Sequence, residues 1–305
     1  MKLPKRVTVK EVGPRDGLQN EKKCLSTEEK ISWINSLSET GLSYIEVSSF
    51  VHPKWIPQLA DAGEVLTKIN RNPGVTYAAL VPNIRGLERA LQSDIDEVNI
   101  FMSASESHNK SNINKTIEDT YSDLKVVVRG AKAAGKTVRG YISTVIACPF
   151  EGPVSPKQVR KVADRLFSMG IDELSLGDTI GVGVPNQVEL LLEEMLPHYD
   201  VNKLAMHFHN TRGTALANIV KSLEMGIIIF DSATGGLGGC PYAKGASGNV
   251  ATEDLLFMFH QMGIETGVNF EAAMGSALMI EKILGKQLKT HQLEILRAER
   301  EESLA

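Results

Sequence analysis

The chain is short of cysteine, of excess charge and of long apolar runs, and each shortage excludes a class of protein. Its three cysteines, at positions 24, 148 and 240, show no paired spacing, which argues against a disulfide framework or a zinc ribbon. The net charge of -4 provides no basic surface for nucleic acid. No apolar run reaches the roughly 18 residues needed to cross a bilayer, and the N-terminal segment lacks the apolar core of a secretory signal. We therefore expect a cytoplasmic protein with neither nucleic-acid nor membrane partners.

What the chain does contain is a regular alternation of strand-like and helix-like segments. The segments with strand character are Val7–Val12, Tyr44–Phe50, Val75–Val81, Ile95–Met102, Thr137–Ile146, Leu174–Gly177, Leu204–Phe208 and Gly226–Ser232. The segments with helical character are Thr27–Glu39, Ala60–Ile69, Asn83–Leu91, a long helix that follows the polar stretch Ser103–Asn114 and ends near Ala134, Pro156–Met169, Pro185–Leu196, Thr214–Met225 and Thr252–Met262. Such alternation predicts parallel strands joined by crossover helices.

Eight such units predict a closed (β/α)8 barrel, the TIM barrel of the α/β class. A barrel of this kind takes about 250 residues, and we assign it to residues 1–270. The remainder, 271–305, has helical character and becomes more charged towards its end. We expect it to form a C-terminal helical extension, not a separate domain, that packs on the outside of the barrel or on a partner subunit.

The segment Gly235–Asn249, called the glycine loop below, follows the last predicted strand. Six of its fifteen residues are glycine, and glycine permits positive φ angles and close approach of the backbone to a ligand. Cys240 lies in its middle and is followed by Pro241. The alternative interpretation is a flexible surface linker, but linkers are rich in serine and glycine and rarely combine Cys, Pro, Tyr and Lys. We therefore expect the glycine loop to wrap a ligand.

Polar and charged side chains collect where the predicted strands end. In a (β/α)8 barrel the active site lies at the carboxyl ends of the strands. The side chains found there are Arg15 and Asp16 after the first strand, Glu46 at the second, Asp178 at the sixth, His207 and His209 at the seventh, and Cys240 and Asn249 after the eighth. We therefore expect these side chains to meet at one mouth of the barrel.

His207 and His209 are two residues apart on a strand, so their imidazoles point to the same face. Neutral imidazole is a common metal ligand, although two hydrogen-bonded histidines lining a polar pocket would show the same spacing. Asp16 and Asn249 add one anionic and one neutral oxygen from strand ends that adjoin when the barrel closes. Two nitrogens and two oxygens without a thiolate favour Mg²⁺ or Mn²⁺ over structural zinc, with two further positions for substrate or water.

Three charged residues are candidates for contacting a substrate or for orienting the side chains that contact it. Arg15 presents fixed donors suited to a carbonyl or carboxylate oxygen, although most Arg-Asp pairs in loops are surface ion pairs or turns. Glu46 is flanked by apolar residues in its strand, so its carboxylate must be paired or functional, and Arg15 is its natural partner. Asp178 is a candidate for orienting a histidine or Arg15.

Three motifs together resemble the 3-hydroxy-3-methylglutaryl-CoA lyase family. They are the run Gly13–Glu21, which reads GPRDGLQNE, the strand end His207–Asn210, which reads HFHN, and the glycine loop. The resemblance covers nearly the whole chain. The Arg15-Asp16 and His-x-His elements are shared with the wider metal-dependent Claisen-type superfamily, whereas the loop that contains Cys240 is specific to the lyases.

The resemblance implies a retro-Claisen cleavage of 3-hydroxy-3-methylglutaryl-CoA into acetyl-CoA and acetoacetate, a reaction of leucine catabolism and ketone-body metabolism. It implies that the divalent-metal ligands are Asp16, His207, His209 and Asn249, and that His209 or Asp16 takes up the hydroxyl proton of the substrate. It implies that Arg15 contacts the substrate and stabilises the oxyanion, and that Cys240 is the catalytic residue that protonates the acetyl-CoA carbanion. Glu46 and Asp178 would have supporting roles in the active site. It also leads us to expect an acyl-CoA substrate and a homodimer. Because the chain starts almost at its first strand, we expect a bacterial or otherwise untargeted enzyme.

Three other functions fit parts of the sequence. A related lyase would act on a longer 3-hydroxy-3-alkylglutaryl-CoA, because the chain length that is accepted depends on pocket shape. An acyl-CoA-dependent Claisen synthase would run the chemistry in the other direction, but such enzymes usually have an extra domain and few residues remain here beyond the barrel. A catalytically silent metal-binding barrel would serve as a scaffold, but it would have no use for Arg15, Glu46 and Cys240 together.

Overall fold

Eight parallel strands form the closed barrel at the centre of the protein. The computed structural model describes residues 3–238 and 248–302. The strands pair in chain order and β8 closes on β1, so the predicted (β/α)8 barrel is confirmed. They are β1 Thr8–Glu11, β2 Tyr44–Ser49, β3 Thr76–Leu80, β4 Glu97–Ser103, β5 Thr137–Ser143, β6 Glu173–Asp178, β7 Leu204–Phe208 and β8 Ile229–Ser232.

Helices follow the strands and pack their apolar sides on the barrel. Ser26, Thr116 and Ser155 cap three of them by accepting hydrogen bonds from backbone N–H groups three residues later. Among the helices that the structure describes, none is long and apolar enough to cross a membrane. They are α1 Thr27–Ser38, α2 Ala62–Lys68, α3 Ile84–Leu91, α4 Glu106–Ile113, α5 Ile117–Ala133, α6 Pro156–Met169, α7 Pro185–Met195, α8 Ala215–Glu224, α9 Thr252–Gln261, α10 Phe270–Leu284 and α11 His291–Glu302.

Helices α10 and α11 form the C-terminal part of the molecule. Helix α10 lies against α1, where the hydroxyl oxygens of Ser36 and Ser276 are 2.6 Å apart. Helix α11 is joined to α10 by Arg297, whose Nη1 donates to Glu281 Oε2 at 2.8 Å. The helical character expected of 271–305 is therefore present in the described part of that segment. Placing the end of the barrel at residue 270 remains a prediction.

The polar stretch between β4 and α5 contains helix α4, which the sequence pattern did not predict. The side chain of Ser105 accepts a hydrogen bond from the His108 N–H at the start of the helix, and Asn114 ends it in a left-handed conformation with a φ of 55°. Only His108 and Asn109 of this helix are buried. Because neither is apolar, the helix has no hydrophobic periodicity by which it could be recognised.

The two strands that fall three residues short of the prediction, β5 and β8, each have a residue with positive φ in the missing part. β5 ends at Ser143 and not at Ile146, since Thr144 has a φ of 61°. β8 begins at Ile229 and not at Gly226, and Gly226 itself is not extended, with a φ of 94°. A residue with positive φ cannot be part of an extended strand. In both cases the apolar segment of the sequence is therefore longer than the paired strand.

The barrel interior contains a buried ionic cluster, which we call the interior ionic cluster and define as Lys10, Arg139, Glu173 and Asp231. Glu173 Oε1 accepts hydrogen bonds from Lys10 Nζ at 2.8 Å and from Arg139 Nε at 2.5 Å. Arg139 Nη2 also donates to Asp231 Oδ1 at 2.7 Å. Barrel interiors are usually filled by branched apolar side chains. Two cations and two anions balance here, which avoids the cost of leaving a buried charge unpaired.

Candidate active site

Asp16, His207 and His209 come together at the carboxyl ends of the barrel strands. His207 lies in β7 and His209 just beyond it, and their ring centroids are 5.3 Å apart. Asp16 lies in the helical turn Gly13–Gly17 after β1, and its Oδ2 is 3.9 Å from His207 Nε2. One possible ligand atom from each of the three residues lies within 4.8 Å of the others. These three buried residues, called the Asp-His-His cluster below, therefore meet as expected.

Asp16 is held through both of its carboxylate oxygens. Oδ1 accepts from Arg15 Nη1 at 2.6 Å and from Gln19 Nε2 at 2.9 Å. Oδ2 accepts from Asn249 Nδ2 at 2.7 Å, and the same amide nitrogen donates to the Leu237 carbonyl at 3.0 Å. The structure thus places Asn249 beside the Asp-His-His cluster through its side-chain amide. Its role as a metal ligand remains a prediction.

Asp16 and His209 have the protonation states that bind cations near neutral pH. Burial alone would raise the pKa of Asp16, but Arg15 and the two histidines outweigh it and lower the pKa to about 2. Burial and the neighbouring His207 lower the pKa of His209 to about 4. Near pH 7 the first is therefore an anion and the second a neutral imidazole, and these are the forms that coordinate metal ions.

Arg15 is fixed between two carboxylates. Its Nε donates to Glu46 Oε2 at 2.6 Å, and its Nη1 donates to Asp16. Glu46 is fully buried in β2, and its Oε1 accepts from Asn99 Nδ2 at 2.7 Å. Burial opposes the charged form of Arg15, but Glu46 and Asp16 raise its pKa above the ordinary value. The expected pairing of Arg15 with Glu46 is therefore present, and the guanidinium is a permanent cation in a fixed orientation.

Asp178 ends β6 and binds the turn that follows it. Its Oδ2 accepts from the backbone N–H of Gly183 at 2.8 Å, and its Oδ1 accepts from that of Val182 at 3.3 Å. That Asp178 orients a histidine or Arg15 remains a prediction. His207 contacts the carboxylate of Asp231, whose Oδ2 lies 3.2 Å from His207 Nδ1. The catalytic role of Asp178 remains a prediction.

Sequence reasoning missed Asp231 and Arg139. Both are charged residues inside apolar strands, which is the same signal that singled out Glu46. Their contact across the barrel joins residues 92 positions apart in the chain. The signal of a buried charge was therefore available, but its partner could not be read from the sequence.

A cavity of about 450 Å³ is lined by Arg15 and by the Asp-His-His cluster. Apolar side chains from neighbouring strand ends and loops also line it, namely Val51, Trp55, Ile56, Leu80, Phe101 and Ile142. A cavity that combines fixed charges with apolar walls suits a ligand that has both anionic and apolar parts.

The described start of the glycine loop lies against the Asp-His-His cluster. Gly238 lines the cavity and has a φ of 98°. A Cβ atom at Gly238 would lie 2.4 Å from Asn249 Nδ2 and 3.4 Å from Asp16 Oδ2. Only glycine therefore allows the backbone to approach the Asn249–Asp16 hydrogen bond this closely. Cys240 lies outside the described residues, and its catalytic role remains a prediction.

Comparison with known proteins identifies the family. The model of the HMGL-like family matches residues 6–280. A protein of Bacillus subtilis named hydroxymethylglutaryl-CoA lyase YngG is 56% identical over 98% of this chain and 100% of its own length. The chain belongs to the HMGL-like family. A crystal structure of the Bacillus subtilis HMG-CoA lyase matches with a TM-score of 0.96 and 56% identity, and covers 97% of this chain and 100% of that one.

A further HMGL-like relative has a name that covers two substrates. It is the 3-hydroxy-3-isohexenylglutaryl-CoA/hydroxy-methylglutaryl-CoA lyase of Pseudomonas aeruginosa, which is 50% identical over 94% of this chain and 95% of its own length. The resemblance stated from the sequence motifs is therefore confirmed. The protein is an enzyme, a carbon–carbon lyase of the HMGL-like family.

The Asp-His-His cluster fits the metal dependence of the HMGL-like family. The cluster offers one carboxylate and two imidazoles, a donor set suited to a divalent cation. His209 Nδ1 is buried and finds no hydrogen-bond partner within 3–238 and 248–302. A buried imidazole nitrogen without a protein partner is costly unless it binds something else, so the residues present fit a metal ion.

Proposed function

We propose that this protein is a hydroxymethylglutaryl-CoA lyase that cleaves 3-hydroxy-3-methylglutaryl-CoA into acetyl-CoA and acetoacetate. The observation that carries the proposal is identity to a lyase of this name over almost the whole chain. The Asp-His-His cluster beside Arg15 in a partly apolar cavity supports it. The substrate is thus an acyl-CoA, and the reaction belongs to the degradation of leucine.

The proposed metal ligands are Asp16, His207, His209 and Asn249. The cation is Mg²⁺ or Mn²⁺, because a carboxylate, an amide oxygen and imidazoles suit these ions and no thiolate takes part. When bound, the ion supplies Lewis acidity, which polarises the oxygens of the substrate and lowers the pKa of its hydroxyl group.

Residues that line the cavity carry out the proton transfer and the charge stabilisation. His209 or Asp16 takes the proton of the substrate's tertiary hydroxyl group. As the carbon–carbon bond breaks, negative charge moves onto the thioester oxygen of the acetyl-CoA enolate. Arg15 stabilises this charge, because Glu46 and Asp16 already hold its guanidinium in place and no reorganisation is needed during the reaction.

Cys240 is proposed to protonate the acetyl-CoA carbanion. The described residues on either side of it, Gly238 and Gly248, lie next to Asn249. The chain therefore enters and leaves the intervening segment close to the Asp-His-His cluster. A thiol is acidic enough to deliver a proton to a carbanion near neutral pH.

A lyase with a longer 3-alkyl substrate is the second candidate. The Pseudomonas aeruginosa relative is named for both a longer and a shorter substrate and is 50% identical to this chain. The apolar walls of the cavity, including Leu80 and Phe101, are compatible with additional carbon atoms. The ratio of kcat/KM for the methyl and isohexenyl substrates would decide between the two specificities.

The lyase is further proposed to act in the cytoplasm as a homodimer. Large apolar side chains remain exposed among the residues that the structure describes, including Phe257 in α9 at 43% and Ile295 in α11 at 51%. A second copy of the chain would cover such groups. Light scattering in solution is expected to give twice the chain mass of 33.3 kDa, and a mass of one chain would remove the dimer from the proposal.

The proposed activity is tested with the purified protein, 3-hydroxy-3-methylglutaryl-CoA and Mg²⁺, with acetoacetate as the product measured. Exhaustive chelation is expected to abolish turnover, and addition of Mg²⁺ or Mn²⁺ to restore it. The Asp254→Asn variant, which alters a pair with His291 and does not line the cavity, should behave as wild type in the same assay. Full turnover by metal-free enzyme would exclude the proposed mechanism, and absence of acetoacetate with metal present would exclude the proposed substrate.

A further inference from the structure

Asp231 connects the interior ionic cluster to the Asp-His-His cluster. Its Oδ2 lies 3.2 Å from His207 Nδ1 and also accepts from Ser175 Oγ at 2.8 Å. Its Oδ1 accepts from Arg139 Nη2 at 2.7 Å. The carboxylate is 2% exposed, so all of its partners in this part of the barrel are protein groups and not bulk water.

The strand register fixes the position of Asp231 relative to His207. The two residues are direct partners in the parallel pairing of β7 and β8. Because side chains alternate along a strand, partners of this kind point to the same face of the sheet, which here is the barrel interior. The contact therefore follows from the backbone and does not require a particular loop conformation.

An ionised carboxylate only accepts hydrogen bonds. The contact with Asp231 therefore places the imidazole proton of His207 on Nδ1 and leaves the lone pair on Nε2. Nε2 is the atom that faces Asp16, at 3.9 Å from its Oδ2. We propose that Asp231 is a positioning residue that holds His207 as the Nδ1–H tautomer and directs Nε2 to the cation. This inference rests on the metal site of the proposed function.

The interior ionic cluster pairs Asp231 with a cation. Arg139 Nη2 donates to Asp231 Oδ1 at 2.7 Å and Arg139 Nη1 donates to Asp231 Oδ2 at 3.2 Å, so both carboxylate oxygens face the guanidinium. Arg139 is itself fully buried and is also paired with Glu173, which Lys10 neutralises in turn. The distant charges on β1, β5 and β6 therefore act on the metal site through Asp231.

The tautomer can be measured directly by ¹⁵N–¹H correlation NMR on protein labelled at histidine. In metal-free wild-type protein we expect His207 to carry its proton on Nδ1, with the resonance assigned by its loss in His207→Gln. The Asp231→Asn variant keeps the shape of the side chain but removes the charge. We expect mixed tautomers for His207 in this variant and about 10–100-fold weaker binding of Mn²⁺ by calorimetry.

The chain offers a matched control for this experiment. Asp254 Oδ2 also contacts a histidine, at 3.0 Å from His291 Nδ1, but this pair joins α9 to α11. Asp254→Asn thus removes an aspartate charge beside a histidine without touching the Asp-His-His cluster. We expect unchanged Mn²⁺ affinity and an unchanged His207 spectrum.

Two results would overturn the inference: a proton on His207 Nε2 in wild-type protein, or wild-type Mn²⁺ affinity in Asp231→Asn. If that variant does not fold, the double variant Asp231→Asn, Arg139→Gln removes both charges together, and it should show the same loss of affinity. The wild-type spectrum, assigned with His207→Gln, requires no change at Asp231 and decides the tautomer by itself. If these results hold but acetoacetate is not formed, the proposed substrate is wrong while the role of Asp231 stands.

Discussion

Arg15 donates through two different nitrogens to two carboxylates, Glu46 Oε2 and Asp16 Oδ1, both at 2.6 Å. Lysine retains the positive charge but has a single nitrogen on a flexible stem, so it cannot reproduce both bonds from one orientation. We expect Arg15→Lys to lower kcat by a factor on the order of 10²–10³. Arg165→Lys, at a surface pair with Glu118, is the control and should keep normal kinetics. A near-normal kcat for Arg15→Lys would show that the guanidinium fork is not needed.

The role of Cys240 depends on thiol acidity and not on side-chain size. Serine has nearly the same shape, but its hydroxyl is a far weaker acid. We expect Cys240→Ser to fold, to bind Mn²⁺ with wild-type affinity and to lose most of its lyase activity. If Cys240 only packs the glycine loop, the same variant will keep substantial kcat. Measuring kcat, metal affinity and melting temperature on this one variant separates the two roles.

Thiol alkylation gives a second test of Cys240, and the other cysteines must be removed first. Cys24 is exposed, whereas Cys148 is buried and accepts a hydrogen bond from Ser105 Oγ at 2.9 Å. In a Cys24→Ser, Cys148→Ala background, we expect alkylation to inactivate the enzyme and bound substrate to slow the inactivation. Retention of activity after complete alkylation would argue against a catalytic thiol.

At the scale of elements, the glycine loop needs glycine at the point where it meets the Asp-His-His cluster. Gly238 has a φ of 98°, and a Cβ there would lie 2.4 Å from Asn249 Nδ2. We expect Gly238→Ala to break the hydrogen bond between Asn249 and Asp16 and to weaken Mn²⁺ binding, as measured by calorimetry.

The Gly213→Ala variant is the control for Gly238→Ala, because it introduces backbone strain without a steric clash. Gly213 also has a positive φ, of 74°, but a Cβ there would meet nothing within 4 Å. Its replacement should cost about 1–2 kcal/mol of stability and leave metal affinity unchanged. Equal metal affinity in Gly238→Ala and Gly213→Ala would show that the close approach of the loop has no function in the metal site.

At the scale of the whole molecule, one buried carboxylate makes folding stability depend on pH. Glu253 is fully buried in α9, accepts a hydrogen bond from the Gly235 N–H at 3.1 Å, and has a pKa that burial raises from 4.5 to about 7. The folded state therefore holds this proton more tightly than the unfolded chain. Its stabilising contribution is complete below pH 4.5 and is lost as pH rises through about 7.

Glu253→Gln should remove this dependence, because glutamine resembles the protonated acid and does not titrate. At about 1.4 kcal/mol per pKa unit, the variant should gain about 3 kcal/mol over wild type as the pH is raised from about 4 to about 8. Urea unfolding across this range measures the difference. Glu271→Gln, at an exposed site on α10, should follow the wild type. Parallel curves for wild type and Glu253→Gln would mean that Glu253 is already ionised in the folded state.

The sequence by itself determined the barrel and the Asp-His-His cluster. Strand and helix periodicity are local properties, and their alternation admits few arrangements other than parallel strands with crossovers. Once the barrel is accepted, residues that follow strands must lie at one mouth. That rule brought together Asp16, His207 and His209, and it placed Arg15 within reach of Glu46.

Only the tertiary structure decided which buried charges meet. Arg139 and Asp231 can be recognised in the sequence as charged residues within apolar strands. Their pairing, however, depends on which strands lie next to each other and on which side chains point into the barrel at the same level along its axis. Asp178 was a candidate for orienting a histidine or Arg15, and the hydrogen bonds that it accepts from the backbone N–H groups of Gly183 and Val182 in its own turn could not be read from the sequence. Partner choice among buried charges is set by distances of a few ångströms between strands far apart in the chain, and local periodicity carries no information about those distances.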